Sequence, residues 1–108
     1  MQLENKVSIV TGAARGLGRA YAEALAGAGS AVLACDVNDC SETVEAILRD
    51  GGQAVSTTVD ITDIASCKAM AEVALASFGR IDVLVNNAAL YGLKARDLTC
   101  SKRLNGMP

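Results

Sequence analysis

The sequence predicts an α/β fold: a doubly wound parallel sheet with helices on its faces, stopping after about four strands in the order 3-2-1-4. Three observations predict it. Short, β-branched apolar runs alternate with segments whose apolar residues recur at helical spacing. A glycine-rich turn joins the first run to the first helical segment. The resulting β-α-β-α-β-α-β order favours parallel strands joined by right-handed crossovers.

KVSIV (6–10) is short and mostly apolar, as a strand buried on both faces should be. Leu17, Tyr21, Ala24, Leu25 and Ala28 then follow at helical spacing, and Gly29 is placed to stop the helix. AVLAC (31–35) reads as the second strand. Asp39 followed by Glu42 has the spacing of a capping box. Val44, Ile47 and Leu48 mark the inner face of the helix it opens, and Gly51-Gly52 ends it. AVSTTV (54–59) is a third strand, less apolar and so expected nearer an edge. A third helix is expected from about Asp63 to Phe78, with Ile64, Cys67, Ala71, Ala74, Leu75 and Phe78 facing inward and Gly79 as its stop. IDVLV (81–85) is the fourth strand. Residues 1–90 are thus expected to form one nucleotide-binding unit. Residues 91–108 are expected to be an irregular tail, since ARDLTCSKRLNGMP shows no period.

Composition narrows the function. A chain of 108 residues makes one domain. Its hydrophobic content is 51% but only 3% is aromatic, so alanine supplies much of the apolar surface and suits helices packed close to a sheet. A net charge of −2, without a basic block, argues against nucleic-acid and anionic-membrane partners. No apolar run reaches the roughly 20 residues of a membrane helix, and a cytoplasmic location is expected. Cys35, Cys40, Cys67 and Cys100 show no CxxC spacing, and the chain has no His. No metal site is expected, and the cysteines read as reduced, buried thiols. Without His, Ser–His and Cys–His nucleophile arrangements are excluded.

The glycine turn, TGAARGLGRA (11–20), carries Gly12, Gly16 and Gly18. This is neither GxGxxG nor a P-loop, and a glycine cluster alone is also what a plain strand-to-helix turn needs. The physics still suits a diphosphate: glycines permit a tight turn and close backbone approach, and a helix N-terminus offers free N–H groups and about half a positive charge. Asp36, closing the second strand, can accept hydrogen bonds from both hydroxyls of an adenosine ribose. It would repel a 2′-phosphate, at about 4 kcal/mol for unit charges about 4 Å apart at an effective dielectric of about 20. Asp60-Ile61, after the third strand, can meet the edge and face of an adenine. Asn86-Asn87-Ala88-Ala89 closes the fourth strand. With the order 3-2-1-4, strands one and four flank the crevice where the strand order reverses, and Gly12 and Asn86 become neighbours.

Together these residues resemble the short-chain dehydrogenase/reductase family, over positions 5 to 90. TGAARGLG matches its TGxxxGxG turn, and NNAA its NNAG motif with Ala89 for glycine. The resemblance implies a Rossmann-type fold, a nicotinamide dinucleotide cofactor and hydride transfer to or from a small alcohol or carbonyl substrate. It implies that the backbone at Gly12, Arg15, Gly16, Leu17 and Gly18 holds the diphosphate, Asp36 the adenosine ribose, Asp60 and Ile61 the adenine, and Asn87 and Ala88 the nicotinamide ribose. Asn86 would tie strands together. Arg15 is of a kind that accompanies NADP in the family, but Asp36 faces the discriminating phosphate position, so NAD is expected.

The family's catalysts are a Ser and a Tyr-x-x-x-Lys pair, the Lys lowering the phenol pKa from one helical turn away. Tyr91 and Lys94 stand at i+3 around Gly92 and follow NNAA too closely; in the family the pair comes after a fifth strand. They read as a lookalike, and Asn105-Gly106 does not restore the family's helix asparagine. No catalytic residue is expected in this chain, which resembles the cofactor half of such an enzyme. Either it is a truncated form of one, or it is a short nucleotide-binding module without chemistry. Leaving strand four at a sheet edge also predicts self-association.

Overall fold

The structure, a computed structural model, describes residues 2–87. Ala88, Ala89, the Tyr91–Lys94 pair, Cys100, Asn105-Gly106 and the expected tail lie outside the described residues. Seven elements alternate along the chain: β1 (Val7–Thr11), α1 (Gly16–Gly27), β2 (Ala31–Asp36), α2 (Ser41–Arg49), β3 (Gln53–Thr58), α3 (Ile64–Phe78) and β4 (Val83–Asn86). The strands form one parallel sheet in the order β3-β2-β1-β4, the expected architecture. No helix among the described residues is long and apolar enough to cross a membrane.

β1 and β2, the central strands, are buried along almost their whole length, because helices cover both faces of a parallel sheet. Their side chains alternate between two cores. Ile9, Leu33 and Cys35 join Val59, Ile61, Met70 and Ala74 under α3. Val10, Val32 and Ala34 join Ala13, Ala22, Cys40 and Ile47 under α1 and α2. β3 alternates between exposed and covered positions, as an outer strand should.

The register carries Thr11 opposite Cys35 on one side and Asn86 on the other. The carboxyl ends of β2, β1 and β4 are therefore level, and the loops that leave them share one edge of the sheet.

The helix faces differ in part from the sequence expectation. In α1 the buried residues are Gly18 and Ala22, with Leu25 and Ala26 partly covered, whereas Leu17 and Tyr21 are 54% and 39% exposed. The helix is turned by one residue, about 100°, because Gly18 must lie against the Gly12 carbonyl; a Cβ at Gly18 would overlap that oxygen. The larger Leu17 and Tyr21 point outward as a result. In α3 Cys67, Met70, Ala71 and Ala74 are buried, and Ile64 and Leu75 are 40% and 43% exposed. Met70, outside the expected stripe, is fully buried in the core under α3.

The expected capping box of α2 does not form, and no side chain caps this helix. Asp39 Oδ1 accepts from the Ser41 N–H at 3.1 Å and from its hydroxyl at 2.6 Å. Glu42 instead reaches Arg19 at 3.6 Å, and Cys40 occupies the N-cap. Leu48, expected inward, is 53% exposed. Of the cysteines, Cys35 and Cys40 are free and buried, as expected. Cys67 is not reduced but disulfide-bonded.

Candidate functional site

The site is built at the carboxyl edge of the sheet, starting from the turn after β1. Gly12 and Gly16 sit at φ 69° and 62°, the left-handed region where a side chain is strained. The turn is held on three sides. The Ala13 N–H donates to the Cys35 carbonyl at 3.0 Å. The Ala14 N–H donates to Asp36 Oδ2 at 3.1 Å. The Thr43 hydroxyl, fully buried on α2, donates to the Ala13 carbonyl at 2.7 Å.

The turn delivers the chain into α1 with Arg15 at the N-cap, extended and exposed. No side chain caps this helix, and its first turn holds no acid. By contrast, Asp63 caps α3 by accepting from the Ala65 N–H at 3.0 Å. A helix N-terminus left without an internal anion is suited to an external one.

Asp36 ends β2 half-buried. Its second oxygen accepts from the Asn38 N–H at 3.1 Å, so the carboxylate is anchored by two backbone donors. The Val59 N–H donates to the Asp36 carbonyl at 3.0 Å, tying in the loop after β3. In that loop Asp60 is exposed and folds back on its own turn, accepting from the Thr62 hydroxyl at 2.6 Å and the Thr62 N–H at 3.0 Å. These two bonds, the hydroxyl's first, hold its carboxyl below the usual carboxylate range. Ile61 is 6% exposed and belongs mainly to the core under α3.

After β4, Asn86 accepts from the Thr11 hydroxyl at 2.9 Å, the strand-tying role expected of it. Asn87 turns inward and is 1% exposed. Its amide donates to the Gly12 carbonyl at 3.3 Å, and its Oδ1 is buried with no hydrogen-bond partner among the described residues. A buried acceptor left unpaired costs free energy, so Asn87 Oδ1 is suited to a donor arriving from outside. The nearby cysteines are poor nucleophiles: burial first, then Asp36 and Asp39, pushes the Cys40 thiol up to about 11, and burial pushes Cys35 higher still. No group of residues able to hold a metal ion occurs among the described residues.

The structure thus brings Gly12, Arg15, Gly16, Leu17, Gly18, Asp36 and Asn87 to one edge, with Asp60 on the adjoining loop. Thr43 is the residue sequence reading missed. It sits one turn before Ile47, on the same buried stripe of α2. A threonine on an apolar stripe must find an acceptor for its hydroxyl, which is the signal that marks it.

These residues share the carboxyl edge of the sheet, and comparison with known proteins gives the family. The chain belongs to the short chain dehydrogenase family, whose model matches residues 6–105. It is 48% identical over 97 residues to an uncharacterized oxidoreductase of Mycobacterium tuberculosis, covering 88% of this chain and 39% of that one. It is 37% identical over 100 residues to the 7alpha-hydroxysteroid dehydrogenase of Escherichia coli, covering 91% and 39%. Among solved structures, the Escherichia coli hydroxysteroid dehydrogenase superposes with a TM-score of 0.77 at 37% identity, over 79% of this chain and 37% of that one. A short chain dehydrogenase from Mycobacterium paratuberculosis bound to NAD gives 0.76 at 30%, over 81% and 38%. The chain therefore spans about two fifths of the length of the curated relatives it matches.

Proposed function

We propose that this chain is the cofactor-binding part of an NAD-dependent short-chain dehydrogenase, an oxidoreductase that moves hydride between a nicotinamide and an alcohol or carbonyl substrate. The observation that carries the reading is the contact between Asp36 Oδ2 and the Ala14 N–H at 3.1 Å. It sets the ribose-type acceptor directly beside an uncapped, glycine-lined helix N-terminus. The residues fit a dinucleotide on two further counts: the cradle at Gly18, which any side chain would close, and the unpaired Asn87 Oδ1.

In this reading the backbone at Gly12, Arg15, Gly16, Leu17 and Gly18 donates to the diphosphate. Asp36 accepts from the adenosine ribose and repels a 2′-phosphate. Asp60 and the accessible edge of Ile61 border the adenine, and Asn87, with Ala88 beyond the described residues, lies along the nicotinamide ribose. The bound nicotinamide supplies the hydride acceptor or donor; this chain's part is to bind and orient it. In this reading residues 1–90 make up the cofactor-binding unit.

Titration of the chain with NADH and NADPH, followed by nicotinamide fluorescence, tests the reading. NADH is expected to bind tighter by about tenfold or more; equal affinities would remove the role given to Asp36, and no binding at millimolar NADH would remove the reading itself. A second reading, a nucleotide-binding module without chemistry, is favoured by one observation. Neither Tyr21 nor Tyr91 has a lysine four residues on; Leu25 and Ala95 stand there. Cofactor binding without NAD-linked alcohol oxidation by the 108-residue chain is its expected outcome.

A further inference from the structure

The peptide group joining Ala13 to Ala14 is gripped at both ends. Its carbonyl accepts from the buried Thr43 hydroxyl at 2.7 Å. Its N–H donates to Asp36 Oδ2 at 3.1 Å. The two partners come from different elements, α2 and β2. One peptide plane in the glycine turn is thereby fixed in orientation, with the Ala13 N–H on the Cys35 carbonyl as a third anchor. Both grips use the same amide, and hydrogen bonds that share a peptide polarise one another. Donation by Thr43 makes the Ala14 N–H a stronger donor to the carboxylate.

From this geometry we propose that Thr43 is a positioning residue for the dinucleotide. It touches no ligand. It locks the Ala13–Ala14 peptide so that the turn leads into α1 with its N–H groups aimed at a diphosphate, and so that Asp36 is held where a ribose would meet it. α2 thereby acts on cofactor affinity without lining the crevice. The proposal rests on the dinucleotide reading of this crevice and adds to it a residue that neither the turn motif nor the strand-end motif contains.

The test is the affinity of the 108-residue chain for NADH, compared among wild type, Thr43→Val and Thr43→Ser. Val keeps the shape and removes the donor; Ser keeps the donor and removes a buried methyl. Thr43→Val is expected to bind NADH about five- to tenfold more weakly. Thr43→Ser should stay within about twofold of wild type although the lost methyl lowers its thermal midpoint. A purely structural role would make affinity follow stability in both variants. Equal NADH affinity in folded Thr43→Val and wild type overturns the proposal and leaves the dinucleotide reading intact. Absence of NADH binding by wild type overturns that reading and the proposal with it. Should Thr43→Val not fold, amide hydrogen exchange in the wild type decides: the Ala14 N–H is expected to be protected in the ligand-free chain, and rapid exchange there overturns the grip.

Discussion

At the scale of single residues the site depends on what is absent as much as on what is present. Gly18 has no side chain, so α1 can lie against the Gly12 carbonyl and the Asn87 amide. Gly18→Ala is expected to push these apart, at a cost of about 1–3 kcal/mol for overpacking and with loss of NADH binding. Chemical denaturation and the NADH titration together check this; a variant of unchanged stability would mean the helix can shift freely. Of the ten candidate cofactor residues, the glycines, Asp36 and Asn87 were legible because each type is tied to a backbone conformation or a charge. The grip of Thr43 was not, because it depends on a tertiary neighbour from another element.

At the scale of elements, boundaries follow local chemistry, and two further outcomes belong here. α3 is capped by Asp63 at one end and stopped by Gly79 at φ 82° at the other. Asp63→Ala and Gly79→Ala should each lower stability by about 1 kcal/mol, measured by urea denaturation. Space is not the issue at Gly79, where an added Cβ meets nothing within 4 Å; the cost there is conformational.

β4 is pinned to β1 by Asp82, which accepts from Arg80 at 2.7 Å and from the Val7 N–H at 2.8 Å. The Arg80 guanidinium first, and the Val7 N–H second, hold the Asp82 carboxyl below its ordinary 3.8. Its folded pKa is depressed relative to the unfolded chain, so its contribution is complete above the ordinary value and lost as pH falls through the folded one. Wild type should be more stable than Asp82→Asn at neutral pH, and the gap should close below about pH 4. A gap that is constant with pH would assign the effect to packing instead.

Helix faces were the least legible feature at this scale. The apolar residues of α1 and α3 leave more than one rotation of each helix open. Local periodicity cannot choose between them. The close approach at Gly18 decides α1, and α3 buries Met70 beside Cys67, Ala71 and Ala74 of the expected stripe.

At the scale of the whole molecule, β4 is an outer strand of the described sheet, and its side chains are only partly covered. Unpaired outer strands invite pairing with another chain, so the 108-residue chain is expected to self-associate. Light scattering across a concentration series checks it, and a monomer at every concentration would contradict it.

What the sequence by itself determined is the order of elements, the parallel sheet and the identity of the residues at its carboxyl edge. Strand and helix periods, turn glycines and strand-end acids are local signals, read without knowing what lies across the sheet. What only the tertiary structure decided is which helix faces turn inward, that Asp36 grips the Ala14 amide, and that Thr43 closes on the same peptide from the other side. Those outcomes rest on which segments, distant in sequence, pack within hydrogen-bond reach, and one-dimensional spacing carries no record of that.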